Sequence, residues 1–131
     1  QPYQYEALHS SRQIRLLSLA PDTPDALLQC SLVQVDLAEK LLYEAISYAW
    51  GDARDRKYVM CDEGLVGITR NLLEALEAFR YTSAPRYLWA DAICINQQNM
   101  LEQNVQVQLM TRIYSGASEV LLWLGKEDAK I

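Results

Sequence analysis

The chain has 131 residues, of which 50% are hydrophobic and 22% are charged, a composition typical of one folded globular domain. Its net charge of −5 argues against nucleic acid or an anionic membrane surface as the main partner. The longest apolar runs, such as 120–124, are far too short to span a bilayer. Three widely spaced cysteines and a single histidine give no metal-ligand pattern, so we predict no metal and a reducing, cytoplasmic compartment.

The first third of the chain predicts an added N-terminal β pair over residues 12–38. Residues 13–19 form one apolar run, and residues 28–37 alternate between apolar and polar side chains. The alternation slips once, between Leu32 and Val33, as a β-bulge would make it. We therefore expect two antiparallel strands, the second of them bulged.

Residues 43–125 predict an α/β core. Strands and helices alternate there with short connections, which favours a small parallel sheet of the flavodoxin-like, three-layer type with a β-hairpin insertion. The predicted elements are a strand at 43–51, a hairpin at 57–69, a helix at 71–79, a strand at 87–95, a helix at 100–114 and a strand at 119–124.

The two helices carry recognisable caps and apolar stripes. Thr69 or Asn71 can cap the first helix, on which we expect Arg80 to face solvent. Asn99, with Glu102 three residues on, is typical of a capping box. We expect the buried stripe of the second helix to consist of Val105, Leu109, Met110 and Ile113, with Gly116 ending it.

The stretch from residue 87 to residue 97 is the most informative one. Its apolar, β-prone run carries Asp91 in the middle and ends on Asn96 and Gln97. Desolvating an unpaired carboxylate is costly, so a strand that keeps Asp91 favours the wall and rim of a site. The alternative is an edge strand with Asp91 facing water.

Three strand ends carry polar or aromatic residues that suit a ligand. In open parallel sheets, ligands bind beyond the carboxyl ends of the strands, so we expect Trp50, Asn96 and Gly125 to share the rim of one cleft for a nucleotide or a peptide. The candidate site residues are Ser47, Tyr48, Trp50, Gly51, Asp52, Asp91, Asn96, Gln97 and Glu102.

Several of these candidates have structural alternatives. Gly51 can supply a positive φ, Asp52 can be a turn residue and Glu102 can act as a helix cap. Ser47 has no histidine within reach, which argues against a Ser-His-Asp hydrolase. No glycine-rich phosphate loop occurs, so no cofactor is evident and no catalytic residue is assigned.

Three ordered blocks resemble the fungal heterokaryon incompatibility (HET) domain family. They are Tyr43–Asp52 (YEAISYAWGD), Leu88–Gln97 (LWADAICINQ) and a continuation from Glu102 to Gly125 that ends in VLLWLG. The resemblance covers about residues 12–125. The family usually has an acid at the position of Asn99 and a basic residue at the position of Gln103, and this chain lacks that pair.

The resemblance implies a cell-death-inducing signalling domain of fungal nonself recognition, a form of innate immunity. Such a domain is expected to act in the cytoplasm, through self-association or protein partners. The family is also similar, remotely, to the TIR (Toll/interleukin-1 receptor) signalling fold, with residues 46–48 resembling its first strand.

Two further functions are alternatives, the first of them implied by the resemblance. Some TIR domains cleave NAD, which implies NAD as a substrate and Ser47, Trp50 and Asp91 as the lining of its pocket. The catalytic glutamate would lie downstream of the Trp-Leu-Gly strand, so we expect an N-terminal fragment that is inactive by itself, beginning at Gln1 and ending at Ile131. The other alternative is a non-catalytic, peptide-binding α/β adaptor.

Overall fold

The computed structural model describes residues 1–49 and 51–125 and confirms the α/β class. The strands are β1 (Gln13–Leu19), β2 (Gln29–Asp36), β3 (Glu44–Tyr48), β4 (Arg56–Cys61), β5 (Gly64–Thr69), β6 (Arg86–Trp89) and β7 (Glu119–Trp123). The helices are α1 (Arg70–Phe79), the single turn α2 (Asp91–Cys94) and α3 (Met100–Gly116). Within these ranges no helix is long and apolar enough to cross a bilayer.

The described strands form one seven-stranded sheet in the order β5-β4-β2-β1-β6-β3-β7. The predicted parallel core is confirmed, because β3 pairs in parallel with both β6 and β7, with Ala45 opposite Trp89 on one side and Val120 on the other. The N-terminal pair and the β4–β5 hairpin are antiparallel, as predicted. They join the core through the antiparallel β1–β6 ladder and the parallel β2–β4 ladder, so the sheet is mixed and continuous.

The β1–β2 ladder has no bulge. Its pairing is one-to-one from Gln13, opposite Asp36, along the whole of β1, so the bulge predicted between Leu32 and Val33 is wrong. The alternation slips for another reason: Val33 is an apolar residue that stays 40% exposed. Val35 follows in the same phase and packs against the core, so apolar residues on both faces of β2, and not an inserted residue, break the pattern.

The strand predicted over 87–95 is shorter than expected. β6 ends at Trp89, and Asp91 begins the helical turn α2, in which the Cys94 N–H donates to the Ala90 carbonyl at 2.8 Å. A carboxylate is favourable in the first turn of a helix, because the backbone N–H groups there lack partners. Asp91 therefore lies just beyond the sheet edge and not within a strand.

Helix α1 lies across one face of the sheet, contacting β3, β4 and β5. Of the two candidate caps, Thr69 caps the helix, with its hydroxyl oxygen accepting the Leu72 N–H at 3.4 Å. The expectation that Arg80 faces solvent is wrong, since only 9% of the residue is exposed. Its guanidinium donates to backbone carbonyls of the segment after β1, at residues 23, 24, 26 and 27, so the buried charge is satisfied by hydrogen bonds.

Helix α3 begins and ends as predicted but buries a different stripe. The Asn99 side chain accepts the Glu102 N–H at its start, and the helix ends at Gly116. The expectation that Val105 is buried is wrong, because it is 39% exposed while Gln106 is 1% exposed. Burial of this amide is offset in part: its Nε2 donates to the carbonyl of Gln13, while its buried Oε1 has no partner among the described residues. A pattern of apolar residues alone does not reveal this bond.

An N-terminal arm, residues 1–9, covers the outer edge of β5. The Tyr3 N–H donates to the Leu65 carbonyl at 3.0 Å, and the Leu65 N–H donates to the Gln1 carbonyl at 2.8 Å. Gly64 permits this approach, because a Cβ there would lie 2.4 Å from the Tyr3 Cα. The close passage of two backbones therefore requires a glycine at this position.

Gly64→Ala is expected to destabilise the fold by about 1–3 kcal/mol, the usual cost of overpacking a fixed backbone contact. Gly67→Ala, in the same strand, is the matched control. Its Cβ would lie 3.2 Å from Cε1 of Tyr58, a side chain that is 65% exposed and can move aside. Urea unfolding of both variants tests the contact, and equal stability of the two would contradict the close packing of the arm.

Candidate functional site

The carboxyl ends of β3 and β6 meet in a tyrosine–carboxylate pair. Tyr48 is the last residue of β3, and Asp91 follows the end of β6 by two positions. The Tyr48 hydroxyl donates to Asp91 Oδ1 at 2.9 Å, and both residues are partly buried. The parallel pairing of the two strands therefore brings together two residues that lie 43 positions apart in the chain.

The electrostatics of this pair keep the phenol neutral. Burial raises the pKa of Tyr48 far above its ordinary value, and the nearby charge of Asp91 raises it further, while a backbone hydrogen bond from Ala92 acts in the opposite direction. Burial and Asp91 also raise the pKa of Tyr114. A carboxylate held by a neutral phenol can accept hydrogen bonds from ligand hydroxyl or amide groups, or stabilise positive charge.

The end of β7 joins this region through α1. Trp123 lies opposite Tyr48 in the β3–β7 register, and its indole N–H donates to Asn71 Oδ1 at 3.1 Å. The Asn71 amide donates in turn to the carbonyl of Ala49. The Trp123 ring packs edge-to-face on Phe79. These contacts fix the path of the chain as it leaves β3.

The other candidates from the first block lie around that exit. Ser47 is half-buried and lies opposite Leu122 in the register. Gly51 has a φ of 72°, which agrees with the expectation that it supplies a positive φ at a turn. Asp52 is exposed and accepts hydrogen bonds from the backbone and side chain of Arg54. Trp50, the predicted aromatic rim, lies outside the described residues.

Asn96 and Gln97 border a separate cleft of about 530 Å³ between the N-terminal arm and the β4–β5 hairpin. The Gln97 amide donates to the carbonyl of Asp91 at 2.9 Å, which ties this cleft to the tyrosine–carboxylate pair through α2. Gly125, with a φ of 103°, follows β7 on the other side of β3. Asn96 and Gln97 thus line a cleft next to the tyrosine–carboxylate pair, and the expectation that Trp50, Asn96 and Gly125 share one rim stays a prediction.

Glu102 is held in a buried ion pair that its local sequence does not indicate. Arg15 binds both of its carboxylate oxygens, at 2.7 and 2.8 Å, and the two side chains are 2% and 7% exposed. The Asn96 N–H also donates to Glu102, at 2.6 Å, while Arg15 donates to the Cys94 carbonyl and lies over the Tyr5 ring. Glu102 thus holds the loop carrying Asn96 instead of completing a capping box.

One signal in the sequence could have revealed this pair. Arg15 is the sole charged residue of the apolar run that forms β1, and long charged side chains are rarely buried without a partner. Pairing it with Glu102, 87 positions later, still required the tertiary structure. Asn71 was considered only as a helix cap, and nothing in the local sequence indicates its bond to Trp123.

The fold and these contacts define a small α/β domain with a polar cluster at the carboxyl ends of its parallel strands. The chain belongs to the heterokaryon incompatibility (HET) family: the family model described as "Heterokaryon incompatibility protein (HET)" matches residues 43–131.

A curated relative supports the same assignment. Heterokaryon incompatibility protein 6, OR allele, of Neurospora crassa is 36% identical over 131 residues, an alignment that covers 88% of this chain and 19% of that protein. The chain therefore spans about a fifth of the length of the curated relative it matches. No solved structure matches the chain, and the remote likeness to TIR domains stays a prediction.

Proposed function

We propose that the chain is a signalling module of fungal nonself recognition that induces cell death in the cytoplasm through self-association or a protein partner. The observation that carries this proposal is the family match over residues 43–131. The Neurospora relative, which is named for heterokaryon incompatibility, supports a role in that process. The expected action through association has a physical basis, because clustering raises the effective concentration of weak interfaces.

The site gives the proposal a chemical centre. Asp91 and Tyr48 form a fixed acceptor at the edge of the sheet, and Asn96 and Gln97 supply amides in the adjoining cleft. Such a surface suits a peptide segment or a polar loop of a partner, because the carboxylate can accept hydrogen bonds from its N–H and O–H groups. Binding there is the step through which we expect the module to transmit its signal.

NAD hydrolysis is the alternative proposal. It is supported by the partly buried carboxylate of Asp91, since a preorganised carboxylate can stabilise a ribosyl cation. Glu102 is not a candidate for this role, because Arg15 and the Asn96 N–H bind its carboxylate. A non-catalytic peptide adaptor is the third possibility, and it requires neither cell death nor NAD loss.

Inducible expression of the whole gene product in fungal cells separates these functions. The wild type is expected to arrest growth and cause death, whereas Leu17→Asp, which places a carboxylate at a position that is 0% exposed, is expected to unfold and leave growth unchanged. Soluble, folded wild-type protein without death would contradict the proposal. NAD content is measured in the same cells, and NAD loss that precedes death would favour the enzymatic alternative.

A further inference from the structure

We infer that the edge strand β7 is a self-association surface, on which β7 of a second copy pairs in the antiparallel direction. The inference rests on the proposed function, in which association transmits the signal, and it names the surface. β7 is the last strand of the described sheet and pairs with β3 on one side. An edge strand presents backbone N–H and C=O groups that can bind another strand.

The outer part of β7 carries an apolar stripe. Val120 is 48% exposed, Leu122 is 63% exposed, and Leu124, just after the strand, is 54% exposed. The intervening Leu121 and Trp123 are partly buried and pack against the core. A strand paired to β7 would place its own side chains beside Val120, Leu122 and Leu124 and remove part of this apolar surface from water.

The two edges of the sheet differ in how they are protected. At the β5 edge, the N-terminal arm occupies the backbone of Leu65 with hydrogen bonds from residues 1–3. At the β7 edge, the strand contains one charged residue, Glu119, and neither lysine nor proline. Lysine, proline and covering segments are the usual means by which proteins block edge pairing, and β7 has none of them in the described residues.

A second copy fits this edge because the strand is self-complementary. Antiparallel pairing about Leu121 places Val120 opposite Leu122 of the second copy, and the twofold axis repeats this apolar pair. The same register places Glu119 opposite Trp123, so the two carboxylates do not face each other. Both the apolar stripe and the charge pattern therefore favour a symmetric dimer.

Sedimentation of the chain over a range of concentrations tests the surface. The wild type is expected to form a dimer, and Leu122→Lys is expected to raise its dissociation constant by about 100-fold or more, because the change occurs twice across the axis. Leu101→Lys is the matched control: this leucine is 79% exposed on α3, and the variant is expected to dimerise normally. A monomeric wild type, or equal dimerisation of both variants, would overturn the inference.

Cross-linking tests the register. In the double variant Val120→Cys/Leu122→Cys, each new thiol faces one on the second copy, with Cα atoms about 4.5–5.5 Å apart, a separation that a disulfide can span. Mild oxidation is expected to give a covalent dimer, whereas Leu101→Cys is expected to give none. The native cysteines Cys30, Cys61 and Cys94 are at most 8% exposed. A dimer that the double variant cannot cross-link would contradict this pairing.

The expression assay keeps this inference distinct from the proposed function. If Leu122→Lys is monomeric and no longer kills, the edge transmits the signal. If the wild type kills while remaining monomeric, the β7 surface is wrong and the signalling role stands. If the wild type dimerises and the double cysteine variant cross-links, but the wild type does not kill, the surface stands and the proposed function fails.

Discussion

Arg15→Ala or Glu102→Ala alone is expected to destabilise the domain by about 3–5 kcal/mol, because each leaves its partner as an uncompensated buried charge. Arg15→Ala removes several contacts at once, namely those with both oxygens of Glu102, with the carbonyl of Cys94 and with the ring of Tyr5. A domain of this size is stable by only about 5–15 kcal/mol, so either variant approaches unfolding. Urea unfolding followed by circular dichroism measures the loss.

Two further variants separate a charge effect from a general loss of packing. Arg15→Met/Glu102→Leu removes both charges and keeps volume, so it is expected to be more stable than either single alanine variant. Arg54→Ala is the control, because Arg54 pairs with Asp52 while 92% exposed and is expected to cost at most about 1 kcal/mol. An Arg15→Ala variant as stable as Arg54→Ala would contradict the role assigned to the pair.

The parallel core could be predicted because its signals are local. β3 and β7 follow from apolar runs closed by Gly51 and Gly125, and α1 follows from its Thr69 cap and its helical stripe. The connection lengths then indicate the parallel direction, which the β3–β6 and β3–β7 ladders confirm. Local propensity and pattern agree in these elements, so they can be derived from sequence.

What could not be predicted depends on contacts between distant residues. Arg80 and Gln106 are polar residues that become buried because backbone carbonyls from elsewhere in the chain accept their hydrogen bonds. The one apolar pattern that failed in β2, at Val33, involves a surface valine that periodicity cannot distinguish from a core one. Sequence patterns report hydrophobicity along one element, and they do not report which partner a polar group finds.

The candidate site was predicted in part for the same reason. The topology rule places Tyr48 at a strand end, whereas Asp91 was predicted inside a strand; the structure places Asp91 just beyond β6 and adds the hydrogen bond that joins the two residues. The end of β6 was misplaced, because the apolar residues of α2, such as Ile93, are as compatible with a strand as with a buried helical turn. Glu102 was assigned a capping role because its partner Arg15 lies far away in the sequence.

Asp91→Ala is expected to abolish killing while leaving the domain folded. The substitution removes the carboxylate that Tyr48 contacts, together with the acceptor it presents at the sheet edge. Its cost in stability is expected to be about 1–3 kcal/mol, the range for losing a hydrogen bond to a charged group. Asp52→Ala is the control, since Asp52 is an exposed carboxylate that contacts Arg54, and this variant is expected to kill like the wild type.

The decisive measurement is killing per amount of folded protein for Asp91→Ala, Asp52→Ala and the wild type, expressed as the whole gene product at matched levels. We expect cells that make Asp91→Ala to die no more often than uninduced cells, and cells that make Asp52→Ala to die as often as those that make the wild type. Wild-type killing by a folded Asp91→Ala protein would show that the tyrosine–carboxylate pair supports the fold alone and would contradict its place at the centre of the function.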